Sequence, residues 1–385
     1  MFESEKNNLP FKSVQLVHSG DDYFSRLERI INDAVTEIHI QTYIFDNDAT
    51  GKRILLALKE ALKRQVKVYL LLDGFGSLSF PNEISKEFRQ AGGHIRFFSP
   101  LFSASSFYIG RRLHKKVVVA DGKVALIGGI NIANRYHGTS NTKPWLDFAI
   151  EINSSIAKDI QSHCKANYSK KKSALRKTIL PTFEAEEKVM IQILQNDWLN
   201  RKSEISEAYI QAVSEAKEKV IIVGSYFLPG RKLSNALLEA SKSKVKIQLI
   251  LSGVSDLPMT RRASCYLYSK LLEHNIELYE WNQSVLHGKA MVVDGSWSTI
   301  GSFNLNNLSS YASIEMNVGI ESPAFATLFE EELQQILLQC QKITSESFQT
   351  RNTISSKISN ALSYYITRGI EIIVTYLPYK RFNHS

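Results

Sequence analysis

The sequence predicts an α/β protein that consists of two duplicated domains related by a pseudo-twofold axis. Strand and helix patterns alternate in the first half, the same order returns in the second half, and one polar motif occurs in both halves. A chain of 385 residues with 44% apolar content is long enough for two domains that each bury a core.

The first half begins with a strand, a helix and a second strand. Residues 13–19 alternate between apolar and polar side chains, as a short strand does. Residues 21–35 carry apolar side chains at helical spacing up to Val35, behind Asp21 and Asp22, which suit an N-cap. Residues 38–45 are predicted to form the second strand.

A second helix and a buried strand follow. Residues 52–65 place leucines on one helical face, and residues 66–74 are nearly all apolar, which is typical of a parallel strand buried on both faces. The order of strand, helix and strand indicates a layered sheet.

The same elements return in the second half. Residues 220–227 match the strand at 38–45, and residues 231–244 match the helix at 52–65. Residues 245–253 match the buried strand at 66–74 at an offset of 179. Residues 275–281 correspond to residues 94–98. The repeat unit is therefore a whole domain. We expect a first domain over residues 1–160, a connector over 161–187, a second domain over 188–345 and a tail over 346–385.

Two basic or amphipathic segments could contact a membrane. The connector contains Lys170, Lys171, Lys172, Arg176 and Lys177, which could touch anionic headgroups or remain solvated. The tail carries apolar residues every three or four positions over 354–377. Such a helix could lie in a membrane interface or pack on its own domain, and both interpretations stay open.

Composition limits the class of protein further. The formal net charge of +9 favours an acidic partner, either nucleic acid or an anionic membrane. Three cysteines without metal-ligand spacing, Cys164, Cys265 and Cys340, are predicted to be buried free thiols in a reducing compartment. The first twelve residues lack signal-peptide features, and no uncharged apolar run reaches the length of a membrane span, so we expect a peripheral protein on the cytoplasmic side.

One motif occurs in both halves. A His is followed two residues later by Lys, seven later by Asp and seventeen later by Asn, and the second copy lies 173 residues after the first. The motif residues are His114, Lys116, Asp121 and Asn131, and His287, Lys289, Asp294 and Asn304. Four identities in one register indicate a repeat rather than a coincidence.

These residue types suit chemistry at phosphorus. On a strand, a His and a Lys two residues apart point to the same face. A neutral imidazole is a competent nucleophile, and a nearby ammonium offsets the charge of a phosphate. Asn131, Asn304 and the hydroxyl of Ser302 are predicted to complete a pocket for one phosphate. The neighbours of each His are not further metal ligands, so we expect neither a metal nor another cofactor.

A phosphohistidine reaction also needs a second group that carries the proton, which predicts that His114 and His287 meet at one site. Each imidazole needs an acceptor for its other ring nitrogen. Glu315, which lies 28 residues after His287, and Asp147, its counterpart in the first half, are candidates.

The motif aspartates have a different interpretation. Asp121 and Asp294 belong to the motif and are therefore included in the candidate catalytic set, but each precedes a glycine at the end of a strand. We interpret them as structural turn residues rather than proton carriers.

Together these residues resemble the phospholipase D superfamily. The pattern HxKxxxxD followed by GGxN or GSxN, present twice at residues 111–131 and 284–304, is highly specific for it. Within the superfamily the chain is similar to bacterial cardiolipin synthases, closest to the short B type, over nearly all of residues 13–340.

The resemblance implies two phospholipase-D-like α/β/α sandwich domains and a metal-independent phosphatidyl transfer. A phosphatidyl group would pass from one phosphatidylglycerol to a histidine with release of glycerol, and a second phosphatidylglycerol would attack to give cardiolipin. By analogy His114 is the nucleophile and His287 is the acid and base, although the symmetry of the copies leaves the order open. The implied partners are phosphatidylglycerol and the cytoplasmic face of a bacterial cell membrane.

Three other functions stay open at this point. A nuclease or phosphodiesterase of the superfamily fits the net charge, but no aromatic and basic stacking platform is evident, so no nucleic acid is expected as partner. A phospholipase that hydrolyses or transfers other lipids differs only in which hydroxyl reaches the intermediate. A non-catalytic membrane scaffold is disfavoured because both motif sets are intact. The sequence does not determine the oligomeric state.

Overall fold

A computed structural model describes residues 13–99, 102–103, 106–107, 111–170, 180–184, 187–197, 200 and 202–376. The first twelve residues, the connector lysines and arginine after Lys170, and the last nine residues lie outside this part of the chain. The expectations for those three segments therefore remain predictions.

The first half alternates strands with helices. Its strands are β1 (Val14–His18), β2 (Glu37–Thr42), β3 (Lys67–Asp73), β4 (His94–Phe98), β5 (Phe102–Ser103), β6 (Ser106–Phe107), β7 (Arg112–Leu113), β8 (Lys116–Ala120), β9 (Val124–Gly128) and β10 (Phe148–Ile152). Its helices are α1 (Asp21–Asp33), α2 (Ala49–Lys63), α3 (Asn82–Gln90), α4 (Asn134–His137) and α5 (Ile156–Tyr168).

The second half repeats this order and adds a C-terminal extension. Its strands are β11 (Leu180–Glu184), β12 (Glu187–Asp197), β13 (Lys202–Ser203), β14 (Lys219–Gly224), β15 (Lys246–Ser252), β16 (Glu277–Trp281), β17 (Lys289–Val293), β18 (Trp297–Gly301), β19 (Ser313–Glu321) and β20 (Gln341–Ile343). Its helices are α6 (Glu204–Glu215), α7 (Arg231–Lys242), α8 (Pro258–Tyr266), α9 (Tyr268–Glu273), α10 (Asn307–Tyr311), α11 (Pro323–Leu338), α12 (Ser345–Arg351) and α13 (Ile354–Tyr376).

The two sheets have the same topology. The first has the order β1-β10-β9-β8-β2-β3-β4, and the second contains β12-β19-β18-β17-β14-β15-β16, in which each strand is the counterpart of the strand at the same place in the first. In both, the last three strands of the series are parallel and the remaining pairs are antiparallel. The predicted duplication and the buried parallel strand β3 are confirmed.

Helices cover both faces of each sheet. Apolar residues of α1, α2 and α3 pack on one face of the first sheet, and those of α6 and α7 pack on the equivalent face of the second. A third, central core joins α5 and α11 to strands from both sheets. This is the predicted α/β/α sandwich, and the central core shows that the halves form one packed molecule.

The contacts between the halves are reciprocal. Leu113 of β7 pairs in parallel with Ile314 of β19, and the equivalent residues Leu286 and Leu146 form a parallel bridge. An interface in which equivalent residues exchange the same contact is the signature of a twofold arrangement. The pseudo-twofold relation therefore brings the same segment of both halves, the one just before each motif strand, to the junction.

The first helix differs from the prediction at both ends. Its N-cap is Gly20, with a φ of 91° that favours glycine, whereas Asp22 lies in the first turn and accepts a hydrogen bond from the amide of His18. The helix ends at Asp33, and Val35, expected on its apolar face, is 71% exposed. The N-cap and Val35 assignments were therefore wrong, because a left-handed glycine begins the helix and the chain becomes extended at Ala34.

The C-terminal helix α13 has two sides with different environments. One side packs on α8 and α10, where Ser363, Thr367 and Glu371 are buried. The other side exposes a row of large apolar side chains to solvent, namely Ile354, Ile358, Leu362, Tyr365, Ile366, Ile370, Ile372 and Ile373. Among the described residues, no helix combines the length and apolarity that crossing a bilayer requires.

Candidate active site

The two motif histidines lie at the junction between the halves. The amides of His114 and Lys115 donate to the carbonyl of Ile314, and the amides of His287 and Gly288 donate to the carbonyl of Leu146. Each His thus sits just before its motif strand, on a backbone held by the other half. Both imidazoles line one cavity of about 650 Å³.

The carboxylates that hold the imidazoles are exchanged between the halves. Nδ1 of His114 lies 2.9 Å from a carboxylate oxygen of Glu315, and Nδ1 of His287 lies 2.6 Å from Asp147. Both carboxylates are fully buried; Glu315 lies near the start of β19, and Asp147 lies just before the equivalent strand β10. The two acidic residues named from the sequence do contact the histidines, but each contacts the histidine of the opposite half. Nδ1 is thus engaged by a carboxylate in each case, and Nε2 of His287 also lies 3.4 Å from the hydroxyl of Tyr136.

Burial favours the neutral form of both imidazoles. Desolvation lowers the pKa of His114, against the attraction of Glu315, and it lowers the pKa of His287 well below its usual value, with Lys289 and Lys116 acting in the same direction. Burial also raises the pKa of Asp147 to about 7. A neutral imidazole whose Nδ1 is held by a carboxylate presents Nε2 as a lone pair, which is the nucleophilic form.

Two buried lysines provide positive charge. The ammonium group of Lys116 donates to the carbonyl of His114, and that of Lys289 donates to the carbonyl of His287. Desolvation lowers the pKa of Lys116 to about 7 and that of Lys289 to about 8. An anionic ligand in the cavity would oppose this effect and favour the charged form of both lysines.

The motif asparagines line the same cavity. The side-chain oxygen of Asn131 accepts from the amide of Ile44 at 3.0 Å, and its nitrogen donates to the hydroxyl of Tyr136 at 2.8 Å. The oxygen of Asn304 accepts from the hydroxyl of Ser225 at 3.2 Å. Both side-chain oxygens therefore accept hydrogen bonds, and the nitrogen of Asn131 is bonded to Tyr136. The role of the two asparagines as phosphate donors stays a prediction.

Ser302 does not have the predicted role in binding phosphate. Its side chain is fully buried, and its hydroxyl donates to Glu315 at 2.5 Å while accepting from the amide of Met316. The first copy has Gly129 here, and a Cβ at Gly129 would meet the carboxylate of Asp147 at 2.3 Å. Ser302 therefore positions the carboxylate that holds His114, and the short Asp147 leaves no room for an equivalent serine.

Asp121 and Asp294 do not belong with the groups that can touch a substrate. The carboxylate of Asp121 accepts from the amides of Val35, Thr36 and Glu37, and that of Asp294 accepts from the amides of Lys217, Glu218 and Lys219. Both aspartates adopt positive φ, 54° and 49°. Their inclusion in the catalytic set was wrong, because both carboxylates accept hydrogen bonds from turn amides. This agrees with their interpretation as turn residues.

Several cavity residues were not found from the sequence. Aromatic rings surround the histidines: Tyr43 lies edge-on to His114 at 5.0 Å, and Tyr136 and Trp145 lie 5.2 and 5.8 Å from His287. The guanidinium groups of Arg112 and Arg135 also line the cavity. Nothing in the periodicity of the sequence marks these residues.

The duplicated sheet, the twin His and Lys pairs and the single shared cavity place this chain among the phospholipase-D-like proteins. The family described as "Cardiolipin synthase, PLD-like domain" matches residues 27–165 and 209–337, one match in each half. The chain belongs to this family, and the predicted resemblance is confirmed.

Relatives of this family match almost the full chain. Cardiolipin synthase B of Escherichia coli (strain K12) is 30% identical over 374 residues, covering 95% of this chain and 90% of that protein. The minor cardiolipin synthase of Bacillus subtilis (strain 168) is 27% identical over 359 residues, covering 92% and 89%.

Solved structures share the fold at low identity. The phosphatidylserine synthase of Haemophilus influenzae Rd KW20 superposes with a TM-score of 0.74 at 14% identity, covering 95% of this chain and 96% of that chain. A polyphosphate kinase from Porphyromonas gingivalis superposes with a TM-score of 0.61 at 17% identity, covering 93% and 53%. These likenesses establish the two-domain architecture.

Proposed function

We propose that this protein is a metal-independent cardiolipin synthase that transfers a phosphatidyl group from one phosphatidylglycerol to another through a phosphohistidine. The observation that carries the proposal is the pair of buried histidines in one cavity, each held at Nδ1 by a carboxylate of the other half. Family membership supports the phosphatidyltransferase class.

In the first step one histidine attacks phosphorus and the other protonates the leaving glycerol. We assign the attack to Nε2 of His114, because its ring is more exposed, at 14% against 6% for His287. The bond from phosphorus to the glycerol oxygen breaks as the nitrogen to phosphorus bond forms. The bound anion raises the pKa of His287, which then donates its proton to the glycerol oxygen.

In the second step the proton carrier acts as a base instead of an acid. Neutral His287 takes the proton from a hydroxyl of a second phosphatidylglycerol, whose oxygen attacks phosphorus while the bond to His114 breaks. Lys116, Lys289, Asn131 and Asn304 offset the charge on the phosphoryl oxygens in both steps. The products are cardiolipin and a regenerated histidine pair.

The protein would work at the surface of an anionic membrane. The helix α13 exposes a row of large apolar side chains on one side and lines the active-site cavity with Thr367, Glu371 and Val374 on the other. Insertion of the exposed row between headgroups would bring the cavity to the lipid. The net charge of +9 favours anionic lipid, and we propose the cytoplasmic face of the cell membrane, with no nucleic acid as partner.

The test is a reaction of the purified chain with phosphatidylglycerol in detergent. Cardiolipin and glycerol should appear in equal amounts, and release of phosphatidic acid without cardiolipin would instead identify a hydrolase. The substitutions His114→Ala and His287→Ala should each abolish turnover. His274→Ala serves as the matched control, because Nδ1 of that ring bonds to the carbonyl of Lys270 near the end of α9 and the ring does not line the cavity. Addition of phosphatidylethanolamine reports whether a second donor is used.

A further inference from the structure

The lining of the active-site cavity differs at positions that the pseudo-twofold axis relates. Equivalent residues are recognised by the offset of 173 between the motifs, or by their place just before the bridged residues Leu146 and Ile314. In three such pairs the first half supplies Arg135, Tyr136 and Trp145, and the second half supplies Leu308, Ser309 and Ser313. At these positions the first half therefore contributes a cation and two aromatic rings, whereas the second half contributes uncharged side chains without rings.

The wall that Arg135, Tyr136 and Trp145 form adjoins His287. The guanidinium of Arg135 lies over the rings of Tyr136 and Trp145, at 5.7 and 5.5 Å from their centroids. The same two rings lie 5.2 and 5.8 Å from the ring of His287. Contacts with two aromatic faces hold the guanidinium in place. A fixed positive charge thus lies on the side of the cavity where His287 carries the proton.

Arg135 keeps accessible donors. Its Nη1 donates to the carboxylate of Asp46 at 2.8 Å, whereas Nε and Nη2 have no hydrogen-bond partner in the described part of the chain and are not buried. The side chain is 35% exposed. Arg112, which also lines the cavity, is 14% exposed and lies 3.8 Å from the buried carboxylate of Asp73. A guanidinium with a free edge suits two oxygens of a phosphate, so Arg135 is the better anion donor of the two.

The cavity also contains carboxylates, which restrict where an anion can bind. Both oxygens of Asp256 accept from the hydroxyl of Tyr226, and Glu371 accepts from Arg368 at 2.9 Å. These carboxylates repel a phosphate, so the lining as a whole has mixed charge. An anion is therefore favoured locally, at the free edge of Arg135.

We propose that Arg135 binds the phosphate of the second phosphatidylglycerol, the one that does not react, and so selects this lipid as the acceptor in place of water. The inference rests on the proposed function, in which His287 takes the proton from the acceptor hydroxyl. That hydroxyl and the phosphate of the same lipid are carried by one short glycerol. A phosphate held at Arg135 therefore keeps the hydroxyl beside His287. Water and free glycerol have no phosphate and gain nothing from this contact.

The experiment supplies the phosphatidyl group from phosphatidyl-p-nitrophenol, a lipid whose headgroup has no hydroxyl to act as acceptor. The full chain in detergent forms the phosphohistidine as the bond from phosphorus to the p-nitrophenol oxygen breaks, and p-nitrophenolate leaves without an acid. An acceptor oxygen then bonds to phosphorus while the bond to His114 breaks, and the acceptor proton passes to His287.

Three acceptors are compared, namely water, glycerol and glycerophosphoglycerol, which is phosphatidylglycerol without its acyl chains. Their products are phosphatidic acid, phosphatidylglycerol and a lipid with two phosphates, which mass spectrometry separates. In the wild type the KM for glycerophosphoglycerol should be lower than the KM for glycerol, because only the former has a phosphate for Arg135.

Arg135→Leu gives this position the side chain that the second half has at Leu308. The KM for glycerophosphoglycerol should rise roughly 5- to 50-fold, the range for loss of a charge-assisted hydrogen bond at a partly exposed site. The KM for glycerol is the internal reference, and the preference for glycerophosphoglycerol over glycerol should disappear. A wild type that has no such preference, or a parallel rise of both KM values in Arg135→Leu, would overturn the subsite.

Two control variants separate phosphate binding from a structural role. Asp46→Asn removes the ion pair but keeps the guanidinium, so the KM for glycerophosphoglycerol should not rise. Arg53→Leu removes an arginine that is 38% exposed, is bonded to Glu28 and does not line the cavity, so it should behave as the wild type. An increase in Asp46→Asn or Arg53→Leu equal to that in Arg135→Leu would make the contact structural and overturn the proposal.

The failures of the two proposals are distinguishable. Wild-type protein that transfers the phosphatidyl group to both acceptors, but whose Arg135→Leu variant keeps the same KM for glycerophosphoglycerol, would overturn the subsite alone. Wild-type protein that releases only phosphatidic acid, whatever acceptor is added, would overturn both the synthase function and the phosphate subsite.

Discussion

Each motif histidine depends on a carboxylate that the other half supplies. Glu315 holds His114 and Asp147 holds His287, both at Nδ1. An acceptor at one ring nitrogen fixes the tautomer and orientation of the imidazole, so that the other nitrogen can act. The imidazoles and the carboxylates that hold them are therefore matched across the junction rather than within one motif.

The crossed pairing predicts different defects for the two acids. With bis(p-nitrophenyl) phosphate, whose leaving group needs no acid, Asp147→Asn should retain a stoichiometric burst of p-nitrophenol and then stall, because the pair Asp147 and His287 serves the second step. Glu315→Gln should lose the burst, because the amide favours the wrong tautomer of His114. The rate of the first step should fall by up to about 10⁴-fold. Rapid-quench kinetics measures both phases.

Ser302→Ala is the milder control for this experiment. It removes the 2.5 Å bond to Glu315, so the rate of the burst should fall while KM stays constant. A higher KM with an unchanged rate would instead indicate that Ser302 binds phosphate, as the sequence predicted. The reverse pattern, a burst in Glu315→Gln and none in Asp147→Asn, would exchange the roles of the two histidines.

The buried lysines predict a decline of activity at alkaline pH. Burial lowers the pKa of Lys116 to about 7 and that of Lys289 to about 8, and only the protonated form attracts phosphate. As pH rises through this window the ammonium charge is lost, so kcat/KM, which reports the free enzyme, should fall. A bound anion raises both pKa values, so kcat should fall at higher pH than kcat/KM. A kcat/KM that stays flat to about pH 9.5 would contradict the charged role of the lysines.

At the scale of elements, α13 combines two roles that the sequence presented as alternatives. Its buried side packs on α8 and closes the cavity, and its exposed side carries the apolar row. The large apolar residues of the helix are on the exposed side, whereas its buried residues are Ser363, Thr367 and Glu371. Packing on the domain and contact with a membrane are therefore compatible.

Substitution of the exposed row should separate membrane binding from catalysis. Replacing Ile366, Ile370 and Ile373 by Gln should weaken co-sedimentation with phosphatidylglycerol vesicles. Each apolar side chain that becomes buried in the membrane interface contributes up to about 1.5–3 kcal/mol to binding, and Gln removes this contribution. Hydrolysis of a soluble phosphodiester should not change, since the cavity face of α13 is intact.

The control for this experiment replaces Val35, Leu56 and Leu78 by Gln, since these apolar side chains are 71%, 61% and 62% exposed elsewhere on the molecule. An equal loss of vesicle binding in both triple variants would contradict the proposal that α13 contacts the membrane.

At the scale of the whole molecule, the active site exists only where the two halves meet. The seven equivalent strands of each sheet come from one half, yet each histidine backbone and each imidazole is held by the other half. The twofold arrangement of the two halves thus places both copies of the motif histidine at one cavity. The same molecule carries a net charge of +9, which acts over longer distances.

The net charge predicts that vesicle binding depends on salt and on lipid charge. Binding to phosphatidylglycerol vesicles should weaken between about 0.05 and 0.5 M NaCl, as the screening length falls below about 10 Å. Neutral phosphatidylcholine vesicles should bind more weakly at low salt and show little salt dependence, since only the apolar row acts there. Light scattering or co-sedimentation measures both. Equal binding to the two lipids at low salt would contradict the electrostatic contribution.

The sequence by itself determined the duplication, the order of strands and helices, the two histidines and the identity of the two carboxylates. Periodicity and a motif repeated in register can be recognised in the sequence without knowledge of the tertiary structure. Local signals failed where a contact from elsewhere decided the outcome, as at Val35, at the N-cap Gly20 and at Ser302.

Only the tertiary structure decided which acid holds which histidine and which residues complete the cavity. The partners Glu315 and His114 are 201 residues apart, and Thr367 and Glu371 come from a helix that carries no motif. No periodicity records such pairings, because they arise from the packing of one half on the other. The reciprocal contacts at Ile314 and Leu146 fix that packing, and with it the exchange of the two carboxylates.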